Sequence, residues 1–102
     1  MKTFIVDIDG TICTDSRGAY ELAQPIHGRI DYFNQLYKSG NIVIYWTARG
    51  GASGKDWSEL TKKQLEEWGV KHTELRMNKP SYDFWIDDKA YNGNRFFDEL
   101  YF

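Results

Sequence analysis

The sequence is poor in the residues that usually announce a scaffold or a cofactor. It has one cysteine, two histidines, two prolines and two methionines. A lone Cys13 excludes an internal disulfide framework and a multi-cysteine zinc site. His27 and His72 fall at the edges of a helical and a strand-like stretch and read as structural or surface residues. No stretch approaches the ~20 apolar residues needed to span a bilayer. After Lys2 the first apolar residues are soon broken by Asp7 and Asp9, so the N-terminus does not read as a signal peptide. Charge of one sign is also scarce: the net charge is -2 and the longest basic run is Lys62-Lys63, which leaves no nucleic-acid footprint. The expectation is a cytoplasmic protein with neither a membrane nor a nucleic acid as partner. There is no internal repeat, low-complexity tract or domain linker.

What the chain does have is apolar and aromatic mass. Its 102 residues suit a single domain spanning 1–102, and 41% are hydrophobic and 17% aromatic, which excludes disorder. Aromatics this dense are expected partly in the core and partly at a subunit interface or substrate mouth. Three unbroken apolar runs, Phe4-Ile5-Val6, Ile42 to Trp46 and Phe84-Trp85-Ile86, read as strands buried on both faces. His72 to Met77 is a weaker strand. Ile26, Ile30, Phe33 and Tyr37 make one helical stripe between Pro25 and Gly40. Trp57, Leu60, Leu65 and Trp68 make a second, with a capping-box-like Asp56–Glu59 start and Gly69 as its stop. A short third helix is expected from Asn94 to Leu100. The alternation predicts an α/β fold, three layers with a central parallel sheet and helices on both faces.

Each clear apolar run ends in polar residues of a particular kind. Phe4-Ile5-Val6 leads into Asp7-Ile8-Asp9-Gly10-Thr11, Ile42 to Trp46 into Thr47-Ala48-Arg49-Gly50, and Phe84-Trp85-Ile86 into Asp87-Asp88. In open parallel sheets ligands bind at the carboxyl ends of the strands, so four carboxylates and a hydroxyl are expected to converge there. Clustered anions repel unless a cation lies among them. Hard oxygen ligands without histidine or cysteine suit Mg2+. Any one aspartate after a strand is more simply a turn former or a helix cap; the set of four is what argues for chemistry.

These residues resemble, in order, the four motifs of haloacid dehalogenase-type phosphatases: Asp7-Ile8-Asp9-Gly10-Thr11, then Thr47, Lys79, and Asp87-Asp88. The resemblance implies a fold without an inserted cap, a Mg2+ cofactor and a phosphatase. Asp7 would be the nucleophile and Asp9 the general acid and base. Thr47 would donate to a phosphoryl oxygen, and Lys79 would neutralise charge. Asp7, Asp9 (through its carbonyl), Asp87 and Asp88 would hold the metal. Gly10, Thr11, Ala48 and Arg49, with Arg17 of the loop from Cys13 to Gln24, would line the substrate. Only Pro80 to Ile86 separates the third motif from the fourth, where relatives often carry a helix; Lys55 and Arg49 are alternative cations. Neither Thr11–Pro25 nor Gly69–His72 is long enough for a cap, so the open site is expected to act on a large substrate or to be closed by another subunit. The aromatic richness favours a homo-oligomer. Among capless relatives, Trp-Thr-Ala-Arg-Gly is similar to proteins associated with bacterial surface-polysaccharide synthesis, which points to a small phosphorylated substrate such as a sugar phosphate.

Three rival readings remain. A phospho-accepting receiver domain shares the acids, Thr and Lys, but places its phosphorylated Asp mid-chain. An inert binding module of the same fold has no need of Asp9. Phosphotransfer to an acceptor other than water needs a closed site. Gly50 to Lys55 imitates a phosphate-binding loop, but Arg49 and Asp56 stand where that motif needs Gly and Ser or Thr.

Overall fold

The structure is a computed structural model, and it describes residues 1–51 and 54–100. Three strands form a parallel sheet in the order β1-β2-β3: β1 is Thr3–Val6, β2 Ile42–Trp46 and β3 Glu74–Arg76. Three α-helices accompany them: α1 at His27–Lys38, α2 at Ser58–Glu67 and α3 at Gly93–Leu100, and a short 3-10 turn covers Tyr20–Leu22. All three helical stripes and the first two strands fall where the sequence pattern places them.

Local chemistry explains the boundaries. Gly40, with φ of 92°, ends α1 in the left-handed conformation that glycine adopts at no steric cost. Ahead of α2, whose N-cap is Trp57 and not the expected Asp56, Asp56 closes a turn by accepting from the Ser58 amide (2.9 Å) and hydroxyl (2.6 Å). Asn34, buried in α1, reaches across to the turn after α2: its amide donates to the Gly69 carbonyl at 2.9 Å and its oxygen accepts from the Lys71 amide at 2.8 Å.

The three-layer expectation is where the fold departs from the sequence reading. Strand residues alternate in direction, so Phe4, Val6, Val43, Tyr45 and Leu75 share one face of the sheet. That face packs into one core with Ile30 and Phe33 of α1, Leu65 of α2 and Phe97 of α3. Parallel strands laid down in the order 1-2-3 by right-handed crossovers put both crossover helices on the same side. Covering the second side needs a helix that crosses back, and among the described residues none lies between Arg76 and Gly93. Ile5 at the sheet edge is therefore 60% exposed, whereas Ile44 beside it in the central strand is buried and Trp46 meets the edge of the Trp85 ring at 6.1 Å.

The expected strand at Phe84-Trp85-Ile86 is likewise not formed. Phe84 is 84% and Ile86 94% exposed. A buried strand needs a paired neighbour and a cover, and this segment has neither, because the sheet ends at β1 and β3.

Candidate active site

β1 ends at Val6, and the chain turns at once. The amides of Thr11 and Ile12 both donate to the Ile8 carbonyl, at 3.1 and 3.0 Å, and the Gly10 amide donates to the Cys13 carbonyl at 2.9 Å. Gly10 has φ of 79°, which favours glycine. This turn sets Asp7 and Asp9 at the carboxyl end of β1, with Ile8 fully buried between them. Thr11 lies directly under the start of α3: a Cβ on Gly93 would stand 2.7 Å from the Thr11 hydroxyl oxygen.

Asp7 is partly withdrawn from water, and burial pushes its carboxyl above the ordinary range. Lys79 opposes that rise most strongly, followed by a backbone hydrogen bond from Ile8, while the charge of Asp9 reinforces it and Arg49 opposes it. Lys79 is tied to the chain just beyond β2. Its amide donates to the Thr47 carbonyl at 2.9 Å, and its ammonium lies 5.4 Å from the centre of the Trp85 ring and 5.6 Å from that of Tyr82. Asn78, with φ of 60°, turns the chain just before it.

Thr47 continues β2 and is fully buried. Its amide donates to Arg76 at 3.0 Å, and its hydroxyl oxygen accepts the Arg49 amide at 3.1 Å. Ala48 accepts the Gly51 amide at 2.9 Å. Gly50 is glycine by necessity: its φ is 82° and a Cβ there would stand 2.3 Å from the Lys55 carbonyl oxygen. The imitation phosphate-binding loop has its middle residues, Ala52 and Ser53, outside the described residues.

Arg49 corrects the sequence reading. Expected to touch substrate, it is 1% exposed and engaged on every side. Its Nε donates to Asp9 Oδ2 and its Nη2 to Asp9 Oδ1, both at 2.9 Å. Its Nη1 donates to Thr61 Oγ1 at 3.1 Å and to Gln64 Oε1 at 2.6 Å, and its guanidinium lies 4.8 Å from the centre of the Tyr20 ring. Thr61 and Gln64 were missed. The available signal was their place on the apolar stripe of α2, where two polar residues one turn apart need a buried partner. Arg17 stays exposed in the loop before Tyr20, with φ of 53° and its amide bonded to Asp15. Cys13 is buried, and its thiol is pushed up to about 12, chiefly by desolvation, which suits packing and not catalysis.

The expected convergence of four carboxylates is not realised. Asp87 and Asp88 lie exposed beyond the unformed strand. Asp87 accepts the Lys89 amide at 2.7 Å, which holds its carboxyl below the usual range. Among the described residues no group of three or more His, Cys, Asp or Glu side chains comes together to hold a metal ion. As arranged, the donor set does not fit Mg2+. A cavity of about 600 Å³ opens beside Lys79, lined by Trp57, Lys55, Ser58, Met77 and Pro80 among others. It reaches Arg49 and Gly50 but not Asp7 or Asp9.

No protein-family model matches the chain, and no curated protein matches it. Solved structures do. A Vibrio cholerae protein solved as an MCSG target superposes with a TM-score of 0.83 at 24% identity, over 94% of this chain and 87% of that one. The structure of a Pnkp1/Rnl/Hen1 complex matches with a TM-score of 0.62 at 20% identity, over 98% of this chain but only 33% of the matched chain. Identities this low establish a shared fold, a small α/β domain with a parallel three-stranded sheet. No helix among the described residues is long and apolar enough to cross a membrane.

Proposed function

We propose that the protein is a haloacid dehalogenase-like phosphomonoester hydrolase that works through Asp7. The observation that carries this reading is the placement of Asp7: a partly buried carboxylate at the carboxyl end of β1, facing the charge of Lys79, with Asp9 beside it. An Asp7 oxygen attacks phosphorus, and the bond from phosphorus to the leaving oxygen breaks. That oxygen takes a proton from Asp9, leaving an aspartyl-phosphate and an alcohol. Asp9 then takes a proton from water as the water oxygen attacks phosphorus. The bond to Asp7 breaks, and phosphate and both carboxyl groups are regenerated. Lys79 counters the charge on the phosphoryl group, and the Thr47 hydroxyl, which already accepts from Arg49, has its own proton to donate.

Mg2+ belongs to the same reading through the motif order alone. Asp7 and Asp9 stand together and Asp87 and Asp88 stand apart, so every step above uses groups of the chain. The cavity beside Lys79 supports a small substrate, since its size lies within the range of small-molecule sites. Its lysine and tryptophan lining suits a small anionic molecule such as a sugar phosphate. The uncovered face at Ile5, with the exposed Phe84 and Ile86, supports a homo-oligomer that closes the open site. The reading also takes the exposed position of Asp87 and Asp88 as a feature of the isolated chain; an inert binding module of the same fold is the alternative that their separation from the other acids favours.

The test is phosphate release from p-nitrophenyl phosphate and a panel of sugar phosphates, with Mg2+ and with chelator, alongside Asp7→Asn. Release that disappears in the variant supports the hydrolase. Absence of release by folded, Mg2+-supplied protein from every ester supports the binding module.

A further inference from the structure

The connection between Arg49 and Asp9 is the most fully built feature of the site. Arginine carries five N–H donors in a planar fork. Here the fork's donors are divided between one carboxylate and one helix: two contacts go to Asp9, and two go to Thr61 and Gln64 of α2. Those helix partners are themselves held. Thr61 donates to the Trp57 carbonyl at 2.8 Å, and Gln64 donates to the Tyr20 carbonyl at 2.7 Å. Tyr20 covers the guanidinium and meets the Trp57 ring edge to face at 5.0 Å. The Arg49 side chain has no exposed surface, whereas that of Asp9 is 19% exposed.

Two simpler roles fail on this geometry. Substrate binding needs an accessible donor, and the guanidinium is enclosed. Stability is a poor reason to bury an arginine, because taking two charges from water offsets much of their attraction, and an apolar replacement of the whole cluster often holds a fold equally well. What a bidentate pair does well is fix the plane of a carboxylate. Asp9 Oδ1 also accepts the Cys13 thiol at 3.6 Å, so Oδ2, which takes only the Arg49 Nε contact, keeps the further lone-pair position that the site can use.

We infer that Arg49 is a positioning residue for Asp9, anchored through Thr61 and Gln64 of α2, and that it sets the aim of the proton transfer to the leaving oxygen. This rests on the hydrolase reading above. It assigns α2 a part in the chemistry without any contact between that helix and the reacting atoms. An aimed acid matters in proportion to how much the leaving group needs a proton. An alkoxide needs one, and p-nitrophenolate departs without one, so an intact general acid is worth about 10^2 to 10^4 for the first and little for the second.

The experiment compares wild-type protein with Arg49→Lys and Arg49→Ala, using p-nitrophenyl phosphate and glycerol phosphate as the two esters. Lysine keeps the charge but cannot grip both oxygens. The expected result is a kcat on glycerol phosphate that falls about 10^2-fold further than kcat on p-nitrophenyl phosphate, with KM little changed on either. Added guanidinium ion should restore part of the loss in Arg49→Ala. Equal losses on the two esters would overturn the proposal and mark the residue as structural. A raised KM with kcat intact would overturn it in favour of substrate binding. If circular dichroism shows that both variants are unfolded, Gln64→Leu is read in the same way: a smaller loss with the same preference for glycerol phosphate supports the proposal, and an even loss sinks it. Wild-type protein inactive on both esters would instead overturn the hydrolase reading, and the positioning role with it.

Discussion

Two stretches of this chain look alike as sequence and end in opposite states. Ile42 to Trp46 and Phe84 to Ile86 are both unbroken apolar runs followed by residues suited to catalysis. The first lies in the middle of the sheet, with Val43 and Tyr45 fully buried and a parallel neighbour on each side. The second lies on the surface with almost all of Phe84 and Ile86 in water. The difference is one of neighbours and not of composition. The Ile42–Trp46 strand is delivered between its partners by two crossover helices. The chain after Arg76 has no helix with which to cross back, so its apolar run reaches neither edge of the sheet. A strand is a statement about partners, and an apolar run is only half of it.

That contrast can be tested from its strong side to its weak one. The largest effect should come from Asp7→Asn, which removes the nucleophile; hydrolysis of p-nitrophenyl phosphate should fall at least about 10^4-fold, as it does when a nucleophile is deleted elsewhere. The same variant should be more heat-stable at pH 7. The Asp7 carboxyl is raised in the folded protein, so what it contributes is fully present below its unfolded pKa and is lost as pH rises through the folded one. The gain in melting temperature should therefore shrink as the pH is lowered towards the carboxylate range, and a gain that grew on acidification would contradict the burial of Asp7.

Arg49→Met comes next. It leaves Asp9 without its partner and leaves Gln64 with an unmet acceptor, at a cost of about 3 kcal/mol in urea unfolding. Gly50→Ala should cost about 1–3 kcal/mol in the same measurement, because the methyl group meets the Lys55 carbonyl and the backbone is left-handed. The smallest effect belongs to the exposed run: Ile86→Ser should change stability by no more than about 0.5 kcal/mol. Repeating that last measurement with Mg2+, and at concentrations where sedimentation shows an oligomer, sharpens the comparison. A cost of about 2 kcal/mol under either condition would mean that the run has found a cover.

Much of the frame was legible in advance because the signals were local. Gly40 ends α1, Asp56 closes the turn ahead of α2, and the apolar spacing of each helix fixes which side meets the sheet. The turn after β1 was legible for the same reason: Asp7, Asp9 and Gly10 carry their own geometry. What was not legible depended on distant partners. Nothing in the neighbourhood of Arg49 marks it as buried, since its enclosure needs Tyr20, Thr61 and Gln64 brought together from two other elements. The position of Asp87 and Asp88 depends on whether their preceding run finds an edge to pair with, which no local pattern encodes. The short stretch between Lys79 and Asp87 was visible in the sequence, but that it leaves the sheet one-sided and Ile5 exposed appears only once the strand order is known.

The edge-to-face contact between Trp46 and Trp85 joins the firm part of the molecule to the exposed part. Two indoles at 6.1 Å and nearly perpendicular couple electronically, and Lys79 places a positive charge over one of them. Trp46 is fixed by β2, so any displacement of the segment that carries Asp87 and Asp88 changes the coupling through Trp85 alone. The protein thus contains an optical gauge of that segment, readable in near-ultraviolet dichroism without a label.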